Sequence, residues 1–237
     1  DLDFFVVMVT LLFPGRHHLL TKFQYSYLRN IIDQGVHGKK IDRIIFAITS
    51  PTDTNKDGTC IMRTDDLDNP NSWKLWDGQG FTIPLINPYP DEPAPQQQRL
   101  CTFISKGSIQ DLHGSLTYNT YLKRYMLLGF GVFPYENNPT TCGFWFSLSD
   151  DLINWDKPNL IKKAVSTFKP CDNYYNLGGE IVKQEAYPSI IDHNAPDRSF
   201  NTAGQNVYLY YMRNTGNQAN SYMNRDLIRI PVTFNKK

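Results

Sequence analysis

The sequence lacks a charge excess of either sign. Its 24 lysines and arginines are balanced by 23 aspartates and glutamates, which leaves a formal net charge of +1. A chain with this balance has no overall field that would recruit nucleic acid or an anionic membrane surface. We therefore expect no nucleic-acid partner, and a neutral or small polar ligand fits the composition better.

Long hydrophobic runs are also scarce. The segment DFFVVMVTLLF, residues 3–13, has no basic residues before it. It is also shorter than the roughly 20 apolar residues that cross a bilayer. It therefore predicts a buried strand rather than a membrane span or a signal peptide. Because the chain starts at Asp1 without a Met, we interpret it as the C-terminal portion of a longer protein.

Several catalytic motifs and metal-binding spacings are missing. The sequence has no GxSxG, P-loop or HExxH motif and no GxGxxG after a predicted strand, which disfavours the enzyme classes that depend on them. The four cysteines are too far apart for a zinc ribbon or a CxxC redox site, and we predict that they are buried free thiols. They are Cys60, Cys101, Cys142 and Cys171.

What the sequence does contain is a repeated order of short strands. Aromatic residues make up 14% of the chain, with 15 glycines and 15 prolines, a composition typical of strands joined by turns. Three strand patterns occur twice in the same order, and a DDL or RDL phrase accompanies each repeat. Sequential antiparallel strands repeated in this way predict an all-β fold, a β-propeller of four-stranded blades. The paired segments are HGSLTY and YPSIID (113–118, 187–192), YMLLGF and VYLYYM (125–130, 207–212), and GFWFSLS and LIRIPVTF (143–149, 227–234).

One segment departs from this pattern. Residues 19–35, LLTKFQYSYLRNIIDQG, place apolar residues at helical spacing and end at Gly35, which predicts a helical insert. The length of 237 residues fits one propeller domain over 1–237, incomplete at its N-terminus.

Acidic residues just before the first strand of each repeat are the candidate catalytic groups. Asp111 and Glu185 occupy matching positions, two residues before His113 and Tyr187. Glycoside hydrolysis requires two such carboxylates, one protonated and one ionised. Glu180 competes with Glu185, because the two glycines before it allow the backbone to approach a ligand closely. The alternative is that each is a solvated loop acid.

Two segments are candidates for binding an ion. His113, which precedes a glycine, would hold a central ion or a sugar hydroxyl, or else serve as a structural hydrogen-bond donor. The segment DTNKDGT, residues 53–59, matches the first half of a calcium loop. Its twelfth position is Thr64 rather than the usual Glu, so we favour a polar hairpin tip there.

The repeated segments resemble a known group of proteins. SLSDDLINW, the pair HGSLTYN and RYMLLGF, and the series EAYPSIID, VYLYYMR and RDLIRIPV are similar to the bacterial five-bladed β-propeller glycosidase-like proteins. This group includes arabinanases, β-xylosidases and fructosidases, and the resemblance covers residues 58–234. It implies a funnel-shaped site with an acid Glu and a base Asp on different inner strands, often with a third Asp that tunes the acid.

The resemblance assigns roles to individual residues. The acid maps to Glu185 or Glu180, and the base to Asp111 or to an Asp upstream of Asp1. His113 resembles the residue that holds a central ion in some members, which implies a structural calcium and no other required cofactor. Independently of the resemblance, Tyr187 and Tyr118 lie near the supposed mouth of the channel and are substrate-binding candidates, and Arg213 is a further one.

The sequence therefore predicts a glycoside hydrolase-like protein that cleaves a polysaccharide or oligosaccharide. The alternative is a non-catalytic carbohydrate-binding or structural propeller. We expect a monomer that is extracellular or periplasmic.

Overall fold

The structure is a computed structural model, and it divides the chain into two compact units, residues 1–110 and 111–237. Strands are the main regular structure of the described residues, and the only helix among them is one short 3-10 helix, which confirms the prediction of an all-β protein. The prediction of a single domain over 1–237 stays a prediction. The structure describes residues 31–32, 43–49, 58–64, 69–84, 101–105, 107–109, 112, 114–165, 184–196, 200–214 and 224–236.

The N-terminal unit contains one antiparallel sheet whose strand order is the order of the chain. The longest pairing joins the second and third strands, from Arg43 opposite Thr64 to Thr49 opposite Gly58. Met62 and Leu75 form its small buried cluster. The elements are β1 (Ile31–Ile32), β2 (Arg43–Thr49), β3 (Gly58–Thr64), a 3-10 helix (Pro70–Ser72), β4 (Lys74–Trp76) and β5 (Phe81–Pro84).

The C-terminal unit contains two sheets. Four of its strands, β6 to β9, pair in chain order and antiparallel, and the short β11 adds to β6 in parallel. The other sheet has the order β10-β12-β13 and is antiparallel. The strands are β6 (Ser115–Asn119), β7 (Arg124–Tyr135), β8 (Asn138–Ser149), β9 (Asn159–Lys163), β10 (Glu185–Ile191), β11 (Thr202–Ala203), β12 (Asn206–Asn214) and β13 (Arg225–Thr233).

Alternating side chains build the core of the C-terminal unit. Along β12, Val207, Leu209 and Tyr211 are buried, while Tyr208 and Tyr210 between them are only partly buried. This is the period of two that a strand imposes on its side chains. The buried residues of β12 share one cluster with buried residues from the other sheet of the unit, Met126, Leu128 and Phe144.

The predicted strand order of the repeats is confirmed. The first segments of the repeats form β6 and β10, the second form β7 and β12, and the third form β8 and β13. Gly114 lies at the point where the two first strands approach. A Cβ atom there would lie 2.6 Å from the carbonyl oxygen of Pro188 and 3.2 Å from that of Leu128. A glycine is therefore required by the close packing of two backbones.

The DDL phrase at residues 150–152 is a turn that Asp151 stabilises. Its Oδ1 accepts hydrogen bonds from the backbone N–H groups of Ile153, at 2.9 Å, and Asn154, at 2.7 Å. Its Oδ2 accepts one from the Asn154 side-chain amide at 2.7 Å. Aspartate favours turns through such side-chain bonds to the following backbone. The repeated phrase therefore has a structural role at this copy.

Some predictions fall on residues that the structure does not describe. The predicted helical insert, residues 19–35, lies outside the described residues except for Ile31 and Ile32, which belong to strand β1. The calcium-loop candidate, residues 53–59, is described only at Gly58 and Thr59, where β3 begins.

The prediction of free thiols is wrong for two cysteines. Cys101 and Cys142 are each disulfide-bonded. Wide spacing in the sequence excludes a metal ribbon but not a disulfide, because folding brings distant residues together.

The structure was also searched for helices that could cross a membrane. Within the described part of the chain, no helix is long and apolar enough to do so.

Candidate functional site

Three of the predicted site residues lie outside the described part of the chain. They are Asp111, His113 and Glu180. The roles predicted for them, as catalytic carboxylates and as an ion ligand, stay predictions. Within the described residues, no group of three or more His, Cys, Asp or Glu side chains is arranged to hold a metal ion.

Two other predicted residues, Glu185 and Arg213, meet directly. Glu185 is the first residue of β10, and its opposite partner on β12 is Arg213. The guanidinium of Arg213 donates two hydrogen bonds to Oε1 of Glu185, from Nε at 3.0 Å and from Nη2 at 2.8 Å. Glu185 is also fixed through its backbone, because its N–H donates to the carbonyl oxygen of Val165 at 2.9 Å.

A third charged group, Lys162, comes from the other sheet of the unit. It lies on β9, and its ammonium donates hydrogen bonds to Oε2 of Glu185 and, at 3.0 Å, to the carbonyl oxygen of Lys163. The ammonium also lies 5.1 Å from the centroid of the Tyr211 ring, a distance typical of a cation–π contact. Glu185 is therefore held from two directions by two cations.

Tyr211 completes the group, which we call the Glu185 cluster: Glu185, Lys162, Arg213 and Tyr211. The Tyr211 hydroxyl accepts a hydrogen bond from Nη2 of Arg213 at 3.1 Å. Burial raises the pKa of Tyr211, and the negative charge of Glu185 raises it further. The hydrogen bonds to Glu185 raise the pKa of Arg213, which stabilises the charged guanidinium.

Exposure differs sharply between the charges of the Glu185 cluster. The side chain of Glu185 is 8% exposed, whereas those of Lys162 and Arg213 are 24% and 39% exposed. The anion is covered, and the two cations face solvent. Both oxygens of Glu185 already accept hydrogen bonds from cationic donors, which is the arrangement of an ionised carboxylate. With both oxygens engaged as hydrogen-bond acceptors, the carboxylate is placed to stabilise positive charge.

Tyr187, two residues beyond Glu185, has an unusual backbone. It lies where β10 is irregular, between Ala186 and Ser189, and its φ is +56°. A residue other than glycine rarely adopts this left-handed conformation, which stores strain and is often found at functional sites. Its side chain is 61% exposed, so a large aromatic ring is open to solvent close in sequence to Glu185.

Tyr118 lies apart from these residues. It is on β6, where its ring packs edge-on against Tyr125 with the centroids 5.1 Å apart. Its N–H donates to the carbonyl oxygen of Asn201 at 2.8 Å. No hydrogen bond or ring contact joins Tyr118 to the Glu185 cluster among the described residues. The structure therefore gives it a packing role, and its role in substrate binding stays a prediction.

Sequence reasoning missed Lys162 and Tyr211. Tyr211 lies within a strand that was identified, and alternation along VYLYYM already assigns it to the buried face. Nothing in the sequence distinguishes Lys162 from its neighbour Lys163, because either lysine could be the one whose side chain points towards solvent. In the structure, Lys163 instead lies over the ring of Tyr135, 5.5 Å from its centroid.

The chain was compared with protein-family models, with curated proteins and with solved structures, and none of them matches it.

Proposed function

We propose that this chain forms a β-propeller that cleaves glycosidic bonds, with Glu185 as one of its catalytic carboxylates. Two features support the propeller. Strands β6 to β9 form a four-stranded antiparallel meander, and β10, β12 and β13 repeat its first three strands. In addition, the first strands of these two repeats approach closely at Gly114, as inner strands of neighbouring blades do.

The observation that carries the proposal is the buried Glu185 between two cations. Burying the carboxylate of Glu185 costs desolvation free energy, and an apolar side chain in its place would often be equally stable or more so. Charged groups arranged in this way are common at sites of chemistry. Glu185 also begins the first strand of a repeat, where the resemblance to glycosidases implies a catalytic carboxylate.

The hydrogen bonds at Glu185 favour a role different from the one predicted. A general acid must carry a proton, whereas both oxygens of Glu185 accept hydrogen bonds from Lys162 and Arg213. We therefore propose that Glu185 acts in its ionised form, as the base or the nucleophile. Glu180, which the resemblance also allows as the acid, would then donate the proton to the leaving oxygen.

Two neighbours of Glu185 would contact the sugar. The exposed ring of Tyr187 offers an apolar face and a hydroxyl, a combination that suits the alternating C–H and O–H surfaces of a sugar. Arg213 offers hydrogen-bond donors beside the carboxylate. The positive φ of Tyr187 would set the direction in which its ring projects.

The disulfides at Cys101 and Cys142 support an extracellular or periplasmic location, because such bonds persist in oxidising compartments. A central structural calcium at His113 and a monomeric state remain part of the proposal.

The test is release of reducing sugar from arabinans, xylans and fructans by the wild type, by Glu185→Gln and by Asp156→Asn. Asp156 also forms an ion pair in this unit, with Arg124, but it is exposed, so its variant is a matched control. We expect Glu185→Gln to lose about a hundredfold or more of the activity, the range for removing an acid–base group. Equal activity of Glu185→Gln and the wild type, both folded by circular dichroism, would reject the catalytic role.

One observation favours a second candidate, a carbohydrate-binding propeller without turnover. Both oxygens of Glu185 are engaged in ion pairs, which is also what a purely structural carboxylate would show. Under this candidate, isothermal titration calorimetry detects binding of an oligosaccharide that the wild type never hydrolyses. Hydrolysis by the wild type excludes it.

A further inference from the structure

We infer that the ligand of the Glu185 cluster is an anionic saccharide, one whose carboxylate or sulfate group binds Arg213 and Lys162. This inference rests on the proposed function, since it names the class of sugar that the same site would take. It also refines the expectation of a neutral or small polar ligand, which was based on the net charge of the chain. A chain whose charges balance overall can still hold a local excess of positive charge.

The first step is the charge that a ligand would meet. Two cations surround one anion, so the Glu185 cluster has a local excess of one positive charge. The exposed parts of the cluster belong to Arg213 and Lys162, while the carboxylate is nearly covered. An approaching ligand therefore meets positive charge, and in a partly buried site that charge is less screened than on an open surface.

The second step is the hydrogen-bonding capacity that remains. Nε and Nη2 of Arg213 donate to Glu185 and Tyr211, whereas Nη1 donates to no acceptor among the described residues. The ammonium of Lys162 uses two of its hydrogens on Glu185 and on the Lys163 carbonyl oxygen, which leaves one. The unused donors all carry positive charge, so an anionic oxygen is their best acceptor.

The third step is the absence of a competing anion among the described residues. Asp226 is the only other acid opposite Arg213 in the strand register, since it pairs with Arg213 from β13. It is exposed, and no ion pair joins it to Arg213 or Lys162. Glu185 is therefore the one described carboxylate that neutralises these cations.

The test uses pairs of saccharides that differ only in charge. Glucuronic-acid-substituted xylo-oligosaccharides and oligogalacturonates are each compared with their carboxyl-reduced forms by isothermal titration calorimetry. We expect the acidic form of at least one pair to bind about tenfold or more tightly than its reduced form, the range for a charge-assisted hydrogen bond. We also expect this preference to shrink as salt is added.

Three variants assign the preference to residues. Arg213→Gln should abolish it, and Arg213→Lys, which keeps the charge and guards against a folding defect, should retain part of it. Arg229→Gln is the matched control. Arg229 lies on the same sheet, but its guanidinium interacts with Tyr210 and Tyr208. Arg229→Gln should leave the preference unchanged.

The outcomes separate the two proposals. Equal binding of acidic and reduced saccharides overturns the inference and leaves the proposed function standing. If none of these saccharides, nor the arabinans, xylans and fructans, binds or is cleaved, both fall. A preference for acid that survives in Arg213→Gln overturns the inference. Inorganic phosphate or sulfate that binds as tightly as the acidic saccharide also overturns it, since the cations would then serve a free anion.

Discussion

Two three-charge clusters in the C-terminal unit have opposite composition and differ in how far their charges are exposed. In the Glu185 cluster, one anion lies between the two cations Lys162 and Arg213, and the central carboxylate is 8% exposed. Elsewhere in the unit one cation, Arg124, lies between two anions, whose side chains are 76% and 50% exposed. We call this second group the Arg124 cluster: Arg124, Asp150 and Asp156.

From this difference we expect the exposure of a charged group, more than the number of its ion pairs, to determine how much its pairing contributes to the free energy of unfolding. In the Arg124 cluster water solvates both carboxylates whether or not they are paired, so the pairs contribute little. In the Glu185 cluster the carboxylate has lost its water, and Arg213 and Lys162 must replace it. Removing Glu185 there leaves two neighbouring cations without a compensating charge.

The largest effect that would test this comparison is expected from Glu185→Gln. It removes the central anion and leaves Lys162 and Arg213 beside each other. We expect the free energy of unfolding to fall by about 3 kcal/mol or more, the range for breaking a buried ion pair. Urea denaturation followed by tryptophan fluorescence measures it. A loss no larger than that of an exposed pair would show that water reaches Glu185 and that the contrast between the clusters is wrong.

A smaller effect is expected from Lys162→Met, which removes one cation and keeps most of the aliphatic length. Arg213 still pairs with Glu185, so we expect a loss of about 2 kcal/mol, typical of a hydrogen bond to a charged group. Lys163→Met is the control, because Lys163 makes no ion pair among the described residues and lies over the ring of Tyr135. The same denaturation assay should find the control within about 0.5 kcal/mol of the wild type.

Asp151 lies in the sequence between the two aspartates of the Arg124 cluster, and its carboxylate is held by hydrogen bonds. A variant at Asp151 therefore measures the contribution of hydrogen bonding separately from that of ion pairing. Burial acts to raise the pKa of Asp151, but hydrogen bonds from Asn154, Ile153 and Ser149 outweigh it and hold this pKa below the ordinary value of 3.8. A lowered pKa in the folded state stabilises the protein above the ordinary pKa, and this stability is lost as the pH falls through the lowered value.

We therefore expect Asp151→Asn to lower the free energy of unfolding at pH 7 by about 1 kcal/mol or less, since the side chain is exposed. The difference from the wild type should shrink in strong acid, where Asp151 itself is protonated. Thermal melts at a series of pH values measure it. A difference that is the same at every pH would mean that the charge of Asp151 contributes nothing.

The smallest effect is expected from Asp156→Asn in the Arg124 cluster. Arg124 keeps Asp150, and both carboxylates are well solvated, so we expect a change of about 0.5 kcal/mol or less at low salt. Screening should remove even this change at about 1 M salt. Denaturation curves at two salt concentrations test it. A salt-independent loss comparable to that of Lys162→Met would remove the distinction between the two clusters.

Some strands and site residues of this protein could be predicted from its sequence, and others could not. The strands β6, β7, β8, β10, β12 and β13 were predicted in order, because alternating apolar residues and turn residues are local signals. Within the site, Glu185 was predicted from its position before a strand, and Arg213 was predicted as a substrate-binding residue. Their contact was not, because it depends on the strand register, in which Glu185 lies opposite Arg213.

Other features had no local signal. The left-handed backbone of Tyr187 follows from an irregularity in the pairing of β10 with β12, and nothing in the letters YPS reveals it. The disulfides at Cys101 and Cys142 likewise depend on which distant segments meet. Propensity describes a residue and its neighbours, whereas these features belong to pairs of strands or loops.

By itself, the sequence determined that the protein is built of antiparallel strands and in which order they occur, because a strand's period of two is written directly in the residues. Only the tertiary structure decided that Lys162 rather than Lys163 meets Glu185, and that the carboxylate is covered while its cations are partly exposed. The physical reason is that the two lysines are chemically identical neighbours. Successive side chains of a strand point to opposite faces, and the tertiary structure places Glu185 and Tyr211 on the side of Lys162 and Tyr135 on the side of Lys163.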